Sequence, residues 1–176
     1  DIWLDKFPTL KNDGHKYHRG HAVVVSGNMI STGASRLAAI AALRSGAGLV
    51  SVSSPEDALS IHAAHLTAIM IRRRAALNDD LKDKRLNAWC VGPAAGVNGN
   101  TRKAVLSIIR SGKQVVLDAD ALSVFEEGPL VLFETINKSS DTNCVLTPHS
   151  GEFARVFPYL KQLDKLTATR NAAKLA

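Results

Sequence analysis

Four short segments hold residues that could do chemistry. Ser26-Gly27-Asn28 leads into Thr32-Gly33-Ala34. Gly92-Pro93-Ala94-Ala95-Gly96 comes next, then Asp118-Ala119-Asp120. Thr147-Pro148-His149 follows, with Glu152 one turn further on. Gly33 and Ala34 at a helix start would leave backbone N–H groups free and make room for an anion. The segment from Gly92 to Gly96 would let backbone approach a ligand closely. Asp118 and Asp120 at a strand end could hold magnesium, accept a proton or anchor a hydroxyl. His149 follows a proline at the same edge, and Glu152 is placed to cap the last helix or to meet a metal-bound phosphate.

Each segment also has a structural explanation. Gly33 and Ala34 suit ordinary tight packing. Gly92 to Gly96 taken alone reads as a turn. An N-cap role would account for one of the two aspartates. A lone histidine is usually structural, and only its neighbours favour a functional reading of His149. Other patterns exclude chemistry. The Gly92 loop lacks the Lys and Ser/Thr of a phosphate-binding P-loop, and the chain has no Gly-x-Gly-x-x-Gly fingerprint. No Gly-x-Ser-x-Gly elbow is present, which disfavours a serine hydrolase. His15, His18 and His21 recur every third residue, but His15 and His18 sit among Lys16 and Arg19, a poor setting for a metal. His62 and His65 read as a helix end and a loop.

The elements that must position these residues alternate. Ala22–Val25, Leu49–Val52, Ala88–Val91, Val115–Leu117 and Val145–Leu146 read as strands, with a further apolar run at Leu66–Ile71. A helix starts at Thr32, with Leu37, Ile40 and Ala41 inward and Arg36 and Arg44 outward, and stops at Gly46 and Gly48. Pro55 opens a second helical stretch, with Glu56 and Asp57 in its first turn. Asn100–Arg110, Val131–Ile136, Gly151–Val156 and Leu163–Ala176 are helical. Strands separated by helices require crossover connections, hence an α/β fold with a mainly parallel sheet. In such a sheet ligands bind beyond the C-terminal ends of the strands. Four clusters of Gly, Asp and His there describe a site better than four independent turns.

Composition agrees. The 176 residues are 45% hydrophobic and only 5% aromatic, enough for one domain with an aliphatic core. The formal charge is +6 and the isoelectric point about 9.6, which suits an anionic partner. Arg72-Arg73-Arg74 is the densest basic run. Without interleaved aromatics it reads as a solvated face, and nucleic acid is unlikely as a partner. Cys90 and Cys144 lie far apart in apolar runs, as two buried reduced thiols of a cytoplasmic protein would. No stretch is apolar enough to cross a membrane. Residues 1–14 read as a linker.

Several segments together resemble a known family. His15-Lys16-Tyr17-His18-Arg19-Gly20-His21 with Val23-Val24-Val25-Ser26-Gly27 resembles the start of the ADP/ATP-dependent NAD(P)H-hydrate dehydratases. So do Thr32-Gly33-Ala34 and Ala42 to Val50, then Val116 to Leu122, then Leu146-Thr147-Pro148-His149-Ser150-Gly151-Glu152-Phe153-Ala154-Arg155. The resemblance implies a ribokinase-like three-layer fold over residues 15–176. It implies dehydration of the S-epimer of hydrated NADH or NADPH with ADP or ATP and Mg2+. The ring hydroxyl would be phosphorylated and phosphate then eliminated. By resemblance Ala34, Gly96 and His149 contact the hydrated cofactor, and Asp118 and Glu152 stand near it. A homo-oligomer and a fused N-terminal epimerase domain are further implications.

Two departures bear on activity. The family usually has Gly where this chain has Ala94. Its later Gly-Ser-Gly-Asp segment, which makes the anion hole and supplies the catalytic aspartate, is absent, as is the Lys-Gly segment that helps hold the nucleotide. The chain is therefore expected to be the N-terminal portion of the domain and incomplete for catalysis. The rival readings are a ribokinase-like vitamin-precursor kinase and a non-catalytic nucleotide-binding fragment.

Overall fold

The computed structural model describes residues 4, 14–139 and 141–176. The linker expected over residues 1–14 thus lies, but for Leu4 and Gly14, outside the described residues. Six strands form one sheet: β1 (His21–Val25), β2 (Leu49–Ser54), β3 (Met70–Arg73), β4 (Ala88–Val91), β5 (Gln114–Leu117) and β6 (Cys144–Leu146). All the pairings are parallel, in the order β3-β2-β1-β4-β5-β6. The chain moves outward from β1 to β3, returns to β4, and moves the other way to β6. The order therefore reverses between β1 and β4, the position where an open α/β sheet leaves a crevice.

The helices are α1 (Gly33–Arg44), α2 (Leu59–His65), α3 (Leu77–Lys82), α4 (Gly99–Arg110), α5 (Asp120–Ser123), α6 (Pro129–Asn137), α7 (Ser150–Val156) and α8 (Lys165–Leu175). Strand residues alternate between two cores. Val23, Val25, Trp89, Val91, Val115 and Leu117 point to one, where Val105, Ile108 and Ile109 of α4 and Leu132 of α6 cover them. Val24, Val50 and Val52 point to the other, against Ala39, Ala42 and Leu43 of α1. Helices therefore lie on both faces, as crossovers of one hand around a reversal require. These are the mainly parallel sheet expected from the alternation of elements and the three layers that the resemblance implies.

Helix α4 has its expected inward face, and Asn98 caps it by accepting from the amides of Asn100 and Thr101. Helix α1 does not follow its expected phase. Leu37 is 71% and Ile40 37% exposed, Ala41 is exposed, and Ser35 and Ala39 are the buried positions. Small side chains on that face let the helix axis approach β1 and β2, and close approach decides the phase over side-chain size. Arg36, expected outward, is half-buried, with its Nε shielded from solvent. Thr32 precedes α1 but is itself helical (φ −83, ψ −17), and its side chain makes no capping bond. Pro55 leads first into a 3-10 turn, Glu56–Ala58, and then into α2.

The Arg72-Arg73-Arg74 run is not a solvated face. Arg72 pairs with the buried Asp80 of α3, and Arg74 turns under the sheet edge. Only Arg73 is exposed, beside Glu56. Strand alternation sends neighbouring arginines to opposite sides, and the inward side here is lined by Ser51 and Ser53, which tolerate a guanidinium. Cys90 and Cys144 are free, and burial pushes their thiols up to about 11 and about 12. Among the described residues no helix is long and apolar enough to cross a membrane.

Candidate functional site

The four segments end four adjacent strands, so their loops form one row. A Cβ on Gly27 would lie 1.8 Å from the carbonyl oxygen of Ala94, so the β1 and β4 loops touch through backbone alone. A Cβ on Gly92 would lie 1.6 Å from the carbonyl oxygen of Asp118, which locks the β4 loop to the β5 loop in the same way. Thr147 extends the row by donating its amide to Leu117 O at 3.0 Å. Gly27 and Gly92 are thus required by loop-on-loop packing.

Two residues in this row carry backbone strain. Ala94 (φ +59) and Ala119 (φ +47) are the non-glycine residues with positive φ among those described, and they occupy adjacent loops. Such conformations cost of order 1–3 kcal/mol each and persist where surrounding structure over-determines them. Here the surroundings are the backbone contacts at Gly27 and Gly92 and one carboxylate. Asp120 Oδ2 accepts from the Gly96 amide at 2.8 Å, tying the β5 loop to the β4 loop. Asp118 makes no side-chain hydrogen bond among the described residues. Its amide and carbonyl serve the backbone, bonding Val91 O and the Ala121 amide. The two aspartates therefore divide, one bracing and one free.

Beside this row stands the N-terminus of α1. No hydrogen bond among the described residues uses the amides of Gly33, Ala34 or Ser35, whereas side chains cap α4, α7 and α8. Gly33 and Ala34 are exposed, so this first turn offers donors and the positive end of the helix dipole to an anion. Two half-buried cations add to that potential. Arg74 donates through Nη2 to Ser26 O at 2.6 Å and Ser53 O at 2.9 Å, and burial lowers its pKa to about 10. Arg36 lies in the first turn of α1 itself. Neither has a carboxylate partner among the described residues.

His149 and Glu152 meet as a capping box on α7. His149 Nδ1 accepts from the Gly151 amide at 2.9 Å, which places its proton on Nε2, 3.1 Å from Glu152 Oε1. Glu152 Oε2 accepts from the His149 amide at 2.9 Å. Both carboxylate oxygens and both ring nitrogens are thus engaged. The ring remains 67% exposed, so a ligand would meet its face. A cleft of about 880 Å3 opens on this side, lined by Pro148, His149 and Phe153 and by Ala168 and Ala172 of α8.

His15 to His21, so distinctive in sequence, stands elsewhere. Lys16–Arg19 form a 3-10 turn that precedes β1, at the N-terminal ends of the strands and opposite the row of loops. The residues that sequence reasoning missed are the half-buried Arg74 and the buried His62 and Ser35, all beside the β1 loop. The serines of β2 were the available signal, because Ser51, Ser53 and Ser54 imply a polar lining that needs partners.

The family described as NAD(P)H-hydrate dehydratase matches residues 22–175. The chain belongs to that family. It is 34% identical over 159 residues to a bifunctional NAD(P)H-hydrate repair enzyme of Coxiella burnetii, covering 88% of this chain and 30% of that one. It is 30% identical to an ATP-dependent (S)-NAD(P)H-hydrate dehydratase of Nematostella vectensis, covering 85% of this chain and 44% of that one. Among solved structures, an ADP/ATP-dependent NAD(P)H-hydrate dehydratase of Bacillus subtilis co-crystallized with ATP and Mg2+ aligns with a TM-score of 0.73. The identity there is 23%, over 98% of this chain and 63% of that one. A ribokinase-like superfamily protein of Enterococcus faecalis aligns with a TM-score of 0.75 at 20% identity, over 95% of this chain and 58% of that one. The fold is ribokinase-like. The chain spans about a third of the Coxiella relative and about three-fifths of the two structures.

Ala94, where the resemblance implies Gly, carries a physical consequence, since a left-handed backbone is natural for Gly and costs an L-residue roughly 1–2 kcal/mol. The donors present fit Mg2+ in one mode only. Among the described residues no three His, Cys, Asp or Glu side chains cluster closely enough to enclose a metal. Mg2+ commonly keeps its waters and binds through one or two carboxylates plus ligand phosphates. Asp118 is a free carboxylate of that kind.

Proposed function

We propose that this chain supplies the substrate-facing part of a nucleotide-dependent dehydratase acting on the S-epimer of hydrated NADH or NADPH, with ATP or ADP as phosphoryl donor. The observation that carries the reading is that the family's separate segments, Val23–Gly27, Thr32–Ala34, Val116–Leu122 and Leu146–Arg155, end on one row of touching loops.

Each part of the row has a role suited to a phosphate-rich dinucleotide. The free amides of Gly33 and Ala34 receive a phosphate oxygen, and Arg36 and Arg74 hold the local potential positive. The Gly96 backbone, fixed by Asp120, gives the ligand a surface without a side chain. The exposed face of His149 packs on a ring. Asp118 anchors the hydroxyl of the hydrated nicotinamide ring or an Mg2+ shared with phosphates, which supplies charge neutralisation when bound. Phosphoryl transfer depends on positioning and electrostatics more than on covalent help from the protein. The part of the site that touches the transferred phosphoryl group lies in the family's Gly-Ser-Gly-Asp segment, which this sequence lacks.

The test follows the reduced-nicotinamide absorbance. The longest natural form of the protein is given hydrated NADPH, Mg2+ and either ATP or ADP. Recovery that needs nucleotide, and that Asp118→Asn lowers by at least about tenfold, supports the reading. No recovery from folded protein overturns it.

A further inference from the structure

The turn after β1 and the first turn of α1 are held together by one side chain from α2. We propose that His62 is a positioning residue for the anion-binding end of α1, an inference that rests on the function proposed above. His62 is fully buried, and its Nε2 lies 2.8 Å from Ser26 Oγ. Ser26 Oγ lies 2.9 Å from Ser35 Oγ and 3.1 Å from the carbonyl of Gly27. Ser35 Oγ in turn lies 2.9 Å from the carbonyl of Thr32. A single buried chain thus runs from α2 through the β1 loop to the residue that begins α1.

Proton accounting fixes the direction of the first link. His62 Nδ1 is buried with no partner among the described residues. An unpaired ring lone pair is tolerated there better than an unpaired N–H, because a buried donor left without an acceptor costs its full desolvation. The proton therefore sits on Nε2 and is donated to Ser26 Oγ. Ser35 has one hydroxyl proton and two acceptors in reach, Ser26 Oγ and Thr32 O. When it donates to Ser26, Ser26 donates to Gly27 O; when it donates to Thr32 O, Ser26 donates to Ser35 Oγ, and in both arrangements Ser26 accepts from His62. From the opposite side Arg74 grips Ser26 O and Ser53 O. Ser26 is held on both its side chain and its carbonyl.

The consequence falls on α1. Thr32 gives that helix no side-chain cap, so its first turn has no local device to fix it. The His62–Ser26–Ser35 chain takes over that task and leaves the amides of Gly33 and Ala34 unused, where a capping side chain would occupy them. Capping from behind keeps the donors open.

The experiment compares His62→Phe, which keeps an aromatic ring but donates nothing, with His62→Gln, whose amide restores a donor near the Nε2 position. Thermal unfolding confirms that each variant folds. Amide hydrogen exchange over Gly27–Arg36 and the Kd for NADPH are then measured on the same protein. In the Phe variant exchange at Arg36, whose amide bonds Thr32 O, rises at least about tenfold and NADPH binding weakens by about tenfold, and the Gln variant recovers most of both. Unchanged exchange and affinity in a folded Phe variant would overturn the proposal. If wild-type protein binds no NADPH, the functional reading is what fails. Exchange then decides the positioning role alone, a rise in the Phe variant with recovery in the Gln variant supporting it and no rise overturning it.

Discussion

Asp120 Oδ2 accepts the Gly96 amide at 2.8 Å, and two residues earlier Asp118 leaves its carboxylate free among the described residues. Two aspartates flanking one strained alanine therefore do separate work. Asp120→Ala leaves the Gly96 amide without its acceptor and is expected to lower stability by about 1–3 kcal/mol. Asp118→Asn is expected to leave the unfolding midpoint within about a degree of wild type and to act on ligand affinity and turnover only. Denaturation curves beside activity data separate the two.

Ala94 and Ala119 carry the reverse prediction. Each sits at positive φ, where removing Cβ relieves strain. Ala94→Gly is expected to stabilise the chain by about 0.5–1 kcal/mol once the greater freedom of the unfolded glycine is counted. A lowered midpoint in urea would contradict the assignment of strain to this residue.

His149 is expected to affect stability and binding through different atoms. His149→Asn keeps a side-chain acceptor for the Gly151 amide but removes the aromatic face. It should retain stability and lose ligand affinity. His149→Ala should lose both, with about 1 kcal/mol from the missing cap. Calorimetry on the two variants distinguishes the cap from the ring.

Stability should depend on acid through His21 and His62. Burial is the main cause holding both below the ordinary value of 6.5. A histidine with a depressed folded pKa binds its proton more readily unfolded, so its contribution is full above pH 6.5 and is lost as pH falls below that. Thermal midpoints from pH 7.5 to about 5 should decline, and His62→Gln should flatten the decline in part, leaving the share of His21.

Much of this was legible in the sequence for physical reasons. Parallel strands buried on both faces read as apolar runs, so Val23–Val25 and Leu49–Val52 were visible, and the loops that follow them had to lie at one edge. The inward face of α4 followed from Val105, Ile108 and Ile109. What the sequence hid depends on close approach and on partners. Leu37 and Ile40 outweigh Ser35 and Ala39 in hydrophobicity, yet the small residues face the sheet because they let backbone come near. Arg74 looked like part of a charged run until its carbonyl partners, 21 and 48 residues away, were in place. Glu152 and His149 form a local capping box, a pattern usually sought with Ser or Thr at the first position.

The central claim is decided by where the phosphate goes. The longest natural form, given the S-epimer of hydrated NADPH, Mg2+ and ATP or ADP, is assayed for free phosphate, reduced NADPH and phosphorylated product together. A dehydratase yields reduced NADPH and free phosphate in equal amounts for each nucleotide consumed, and no phosphorylated product accumulates. Hydrated NADPH left untouched, with phosphate transferred instead to a vitamin-precursor alcohol supplied in a parallel reaction, would contradict the account and identify a kinase of the same fold.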